Sequence, residues 1–153
     1  MKLVNILYEI QLSDLKMEYK GKYFHGAPDI SYLKSVKDID SSKSLYGHNK
    51  SPFFYVTSNI DYAISHLNKR RKTKYAGIGI FDVIKNKIYN LNGPKELKIV
   101  SSGWENYMDL LENIHNRGYD IVTYDDDPDT LIILNKSVLK LLNVVYIKDI
   151  KWN

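Results

Sequence analysis

The alternation of apolar and polar positions divides the chain into short strand-like runs and two amphipathic helices. LVNILYEI at 3–10 predicts a first strand or its approach, and KYFHG at 22–26 a short aromatic strand closed by a glycine turn. Pro28 and Asp29 open a helix-like or irregular segment in which Ile30, Leu33, Val36 and Ile39 follow a helical period. Residues 41–52 are polar and contain glycine, which reads as a loop. FFYV at 53–56 predicts a buried strand, and Thr57, Ser58 and Asn59 supply a helix N-cap cluster. The helix that follows, IDYAISHLNKR, carries Ile60, Ala63, Ile64 and Leu67 on one face.

The basic run KRRKTK at 69–74 ends that helix. YAGIGIFDVI at 75–84 alternates as a strand does, its glycines marking close approach of another backbone, and KIYNL is a further strand or turn. WENYMDLLENIHN at 104–116 is amphipathic, with Trp104, Met108, Leu111 and His115 along the expected inner face and Gly118 as the stop. Then come a strand at 118–124, an acidic turn at 125–129, a strand at 130–134, and a short helical turn leading into a final strand. Strands and helices do not alternate one for one. The pattern therefore predicts an α+β protein, with two small antiparallel or mixed sheets flanked by helices, rather than a doubly wound parallel sheet.

Composition narrows the chemistry. A chain of 153 residues with 44% hydrophobic positions, no internal repeat and no low-complexity linker reads as one domain over 1–153. Having no cysteine, it has no disulfide, no thiolate nucleophile and no cysteine-ligated metal. No run of about 20 apolar residues is available to span a bilayer. The expectation is a soluble cytoplasmic protein without a membrane partner. The net charge of +4 is too mild an excess to name an anionic partner by itself. Thirteen tyrosines stand out, and AT-rich codons account for most of them. Individual tyrosines remain able to stack on flat ligands.

Familiar nucleotide and metal signatures are missing. No GxxxxGK[ST] occurs, and GIGIF lacks both the third glycine and the strand-then-helix setting of a dinucleotide fingerprint. There is no HExxH, and His25, His48, His66 and His115 are too far apart for a local ligand set. The run Asp125-Asp126-Asp127-Pro128-Asp129 lacks the ligand spacing of a calcium loop and reads as a solvated turn. No metal is expected.

Three short patterns in fixed order carry the functional reading: His25-Gly26 at the end of a strand, YVTSNIDYA running from a strand into a capped helix, and GYDIVTYDDDPDTLIIL near the C-terminus. Together, over roughly residues 22–142, they resemble the ADP-ribosyltransferase fold. The likeness is to its His–Tyr–Glu branch, which includes diphtheria-toxin-like enzymes and poly-ADP-ribose polymerases, and the late segment is similar to small bacterial and phage members. The resemblance implies NAD as substrate and mono-ADP-ribosylation of a protein or nucleic-acid acceptor, in the host cytoplasm if a phage encodes the chain.

Carried over, the resemblance implies that His25 bonds the adenosine-side ribose and that Gly26 lets the dinucleotide lie against the strand. It implies further that Tyr55 stacks on nicotinamide, with Tyr62 completing an aromatic sandwich, and that Thr57 and Ser58 cap the helix and shape the pocket floor. The family's glutamate is missing. Its place is taken by Thr130, with Asp129 beside it, and a register shift of one residue would be needed to bring Asp129 to the same face. Chain elongation is not expected from such a site. Lys69, Arg70, Arg71 and Lys72 are the expected docking surface for an acidic or nucleic-acid acceptor, or else a solvated loop. Two alternatives stay open: a catalytically degenerate module of the same fold that binds NAD, ADP-ribose or a partner, and a basic nucleic-acid-binding domain.

Overall fold

The structure, a computed structural model, describes residues 9–38, 53–70 and 74–151. In chain order these form β1 (Ile10–Gln11), α1 (Leu12–Glu18), β2 (Tyr23–Ala27), β3 (Phe54–Thr57), α2 (Ile60–Arg70), β4 (Gly77–Val83), β5 (Ile88–Asn90), α3 (Pro94–Ser101), α4 (Trp104–Asn116), β6 (Ile121–Tyr124), β7 (Asp127–Ile133), β8 (Leu139–Tyr146) and β9 (Ile150–Lys151). Single 3-10 turns lie at Val36–Asp38, Lys136–Val138 and Ile147–Asp149. The expected loop at 41–52, residues 3–8 of the first expected strand, and Ile39 lie outside the described residues.

The protein is α+β. Seven strands form one mixed sheet in the order β5-β6-β7-β3-β2-β4-β8, and β1 with β9 forms a separate parallel pair. Within the seven, β5–β6 is parallel and the other neighbours are antiparallel. In place of two comparable small sheets there is thus one large sheet and one two-residue pair. The reason is the β3–β7 ladder, registered from Phe54↔Ile133 to Thr57↔Thr130, which joins the strands of both chain halves.

Side chains alternate across a strand, and residues opposite one another in an antiparallel pair share a face. Phe24, Ile78 and Ile80 on one face pack under α1 and α2, against Leu15, Ile64 and Leu67. Farther along the same face, Val122 and Ile132 pack under α4, against Tyr107, Leu111 and Ile114. The opposite face carries Tyr23, Phe54, Val56, Phe81 and Leu131, covered by Leu33 of the 28–38 segment and by Val138. β3 lies between the strands beneath α2 and those beneath α4. Its side chains are consequently the ones placed where the two helical layers meet.

Several local readings change. Residues 12–18 form α1, whose apolar positions Leu12 and Leu15 are buried at helical spacing. Residues 94–101 form α3, started by Pro94 in the first turn. Of the two readings from Pro28 the irregular one holds: the segment is a cover with one 3-10 turn, anchored by the Ile30 N–H donating to the Tyr75 carbonyl at 2.9 Å. In α4 the buried residues are Tyr107, Leu111 and Ile114; of the expected Trp104, Met108, Leu111 and His115 face, Leu111 is buried and Met108 packs at the edge of the same cluster. The stop at Gly118 holds, its φ of 98° being one that glycine tolerates without strain. The acidic turn shortens to its first residues, since β7 already begins at Asp127 opposite Tyr124.

Candidate functional site

The three patterns read from the sequence fall on adjacent strands, β2, β3 and β7, although up to about a hundred residues separate them in the chain. Their side chains divide between the two faces. Phe24, Tyr55, Thr57, Thr130 and Ile132 share the helix-covered face, because Phe24 registers with Thr57, and Thr57 with Thr130. His25 lies on the other face, 8% exposed, with its ring edge-on to Phe54 at 5.1 Å.

The His25 imidazole has a defined bond. Its Nδ1 stands 2.7 Å from the Tyr55 carbonyl oxygen, an acceptor, so Nδ1 carries the proton. Phe24↔Thr57 is the one registered pair joining β2 to β3, and the imidazole adds a second tie where a ladder bond would otherwise stand. Desolvation pulls its pKa below the ordinary 6.5, and the bond to Tyr55 offsets only part of that. His25 is therefore a neutral, buried tie between strands.

Tyr55 projects toward α4. The Tyr107 hydroxyl stands 3.0 Å from that of Tyr55 and 2.6 Å from that of Tyr124, and Trp104 stacks on the Tyr107 ring at 6.0 Å and 5°. Burial raises the pKa of all three phenols, Tyr124 to about 12, and the proximity of other phenols adds to the rise at Tyr107. The group is a neutral phenol cluster joining three elements. Tyr62 is 48% exposed on α2, and the Tyr55 hydroxyl lies in the phenol cluster.

The other predicted residues meet where β3 becomes α2. The Thr57 Oγ1 accepts from the Asn59 N–H at 3.1 Å, and the Asn59 Oδ1 accepts from the Tyr62 N–H at 3.2 Å, capping the helix. Asn59 rather than Thr57 or Ser58 is thus the cap. Ser58 turns to β7 instead: its N–H donates to the Asp129 carbonyl at 2.9 Å and its Oγ to the Asp129 carboxylate at 3.1 Å. Thr130 keeps its place opposite Thr57, and Asp129 reaches Ser58 without any shift in register, because β3 has already ended there.

A surface cleft of about 350 Å³ opens at this junction. Phe24 and Ile60 lie at its apolar part, Ser58 and Asp129 on one side, Tyr19 and Lys20 on another. Lys16 and Asp61 also line it and are paired at 2.8 Å. Tyr19, Lys20 and the Ser58–Asp129 pair are what the sequence alone did not assemble into one place. The available signal was slight: a tyrosine followed by Lys20 and Lys22 ahead of the aromatic strand.

Of the expected acceptor surface, Lys69 and Arg70 close α2, while Arg71 and Lys72 lie outside the described residues. Among the described residues no group of three or more histidines and carboxylates is positioned to hold a metal, and no helix is long and apolar enough to cross a membrane. Comparisons with protein-family models, curated proteins and solved structures give no match to this chain.

Proposed function

We propose that the chain is an ADP-ribosyltransferase-like protein that binds NAD at the β3–α2 junction and transfers one ADP-ribose unit to a macromolecular acceptor. The observation that supports this most is the adjacency of β2, β3 and β7, with Asp129 and Ser58 bonded at the rim of an open cleft. These are the three segments on which the resemblance rests.

The chemistry asked of the site is the breaking of the bond between C1′ of the ribose and the nicotinamide nitrogen. The bonding pair leaves with nicotinamide, which becomes neutral, and positive charge develops on the ribose. A nucleophilic oxygen or nitrogen of the acceptor then bonds C1′ and gives up its proton. Asp129 is the carboxylate available to face the developing charge, with Ser58 holding one of its oxygens. Thr130 carries no charge. On this reading His25 and Tyr55 are positioning residues: His25 ties β3 to β2, and Tyr55 ties β3 to α4.

A second reading, binding without transfer, is favoured by the engagement of the Tyr55 hydroxyl in the phenol cluster. Nicotinamide release from NAD separates the two. Under the transfer reading the Asp129→Asn protein releases nicotinamide about a hundredfold more slowly than the wild type, and Thr130→Val stays within a few fold. Equal rates for wild type and Asp129→Asn would remove Asp129 from the chemistry. NAD binding with no release from the wild type would leave the binding module.

A further inference from the structure

We infer that the β3–α2 cleft is a mononucleotide site, in which Lys20 holds the phosphate, Asp129 accepts from the ribose hydroxyls and Tyr19 lies against the base. It rests on the NAD reading only in that a dinucleotide would place one of its two nucleotide halves here. The cleft is small. Ligand pockets run from roughly 300 to 1,000 Å³, and about 350 Å³ sits at the low end, suited to one nucleotide half and not two.

The groups around the cleft match the three parts of such a ligand. The charges inside it do not simply cancel: Lys16 pairs with Asp61 at 2.8 Å, and the Asp129 carboxylate takes a bond from Ser58 at 3.1 Å. Three ion pairs form among the described residues, Lys16–Asp61, Lys22–Asp82 and Lys151–Glu9, and Lys20 belongs to none of them. It is an exposed cation at the lip of the cleft, the right group for a phosphate.

Lys20 also rides on a fixed turn. The Lys22 N–H donates to the Tyr19 carbonyl at 3.0 Å, and Gly21 makes the bend at a φ of 80°. Tyr19 is held at its hydroxyl by the Asn143 amide at 3.0 Å, leaving its ring on the cleft wall. Asp129 retains a second carboxylate oxygen beside the one Ser58 bonds, the ordinary acceptor for ribose hydroxyls. A bare anion would use Lys20 and be repelled by Asp129. A nucleotide uses both.

Titration calorimetry with AMP, adenosine and NAD tests this on the wild-type chain, on Lys20→Gln, and on Lys22→Gln. Lys22 is two residues away and paired with Asp82 outside the cleft. The expected result is that Lys20→Gln weakens AMP and NAD about tenfold and leaves adenosine unchanged, while Lys22→Gln binds all three as the wild type does. Equal weakening by both variants, or none by Lys20→Gln, would overturn the phosphate assignment while leaving NAD binding intact. AMP binding that depends on Lys20 in a protein that does not bind NAD would support the mononucleotide site and end the transferase reading. A wild-type chain that binds none of the three would overturn both.

Discussion

His25 shows how one residue's burial becomes a pH response. Its pKa in the fold is lowered, so the unfolded chain binds a proton at His25 more readily than the folded one does in the window below 6.5. Stability is then fully present above that value and falls as pH drops through the window, by up to about 1.4 kcal/mol per pH unit from this group. His25→Gln keeps an N–H for the Tyr55 carbonyl and removes the titration. Urea midpoints at pH 7 and pH 5 should therefore lie closer together for His25→Gln than for the wild type, and an unchanged gap would show that His25 is not buried neutral. The His25 strand was legible in the sequence as an aromatic run ending in glycine. The direction of its ring was not, because which side of a strand meets solvent depends on what the other segments bring to cover it.

At the scale of elements, the close approach of β4 to its neighbours explains its glycines. A side chain at Gly77 would run into the Ile30 side chain and the Val145 carbonyl of β8. The second is backbone in a sheet and cannot swing away, so Gly77→Ala should destabilise the protein by about 3 kcal/mol, the upper part of the range for overpacking. Denaturant unfolding measures it, and a loss under 0.5 kcal/mol would mean that β4 and β8 separate easily. The glycines of GIGIF were readable as a sign of close approach, though not which partner approached. α1 and α3 were missed for a different reason. Both are short, with seven and eight residues, and a helix of two turns offers too few apolar positions for its period to emerge.

Over the whole molecule, β3 couples two hydrophobic clusters that would otherwise be separate. Ile64 of α2 belongs to the cluster over β2 and β4, and Ile132 of β7 to the cluster under α4, yet both clusters rest on one continuous sheet. Ile64→Val and Ile132→Val should each cost about 1 kcal/mol and shift the same single unfolding transition. Far-UV circular dichroism follows the sheet and helices, and Trp104 fluorescence, read in a Trp152→Phe background because the chain has two tryptophans, follows α4. Coincident curves for both variants are expected. An Ile64→Val transition that leaves the fluorescence midpoint in place would show that the two halves unfold independently.

Local patterning by itself determined the α+β class, the capped helix after β3, the glycine stop of α4 and the absence of cysteine chemistry. Each follows from interactions among residues a few positions apart, or from composition alone. Tertiary structure decided that the strands form one large sheet, that His25 and Tyr55 face opposite ways, and that Ser58 meets Asp129 beside Tyr19 and Lys20. Those outcomes depend on the register of strands brought together from distant parts of the chain. A shift of one residue in that register would exchange the faces, and β3, buried on both sides, offers too little alternation of its own to select between them.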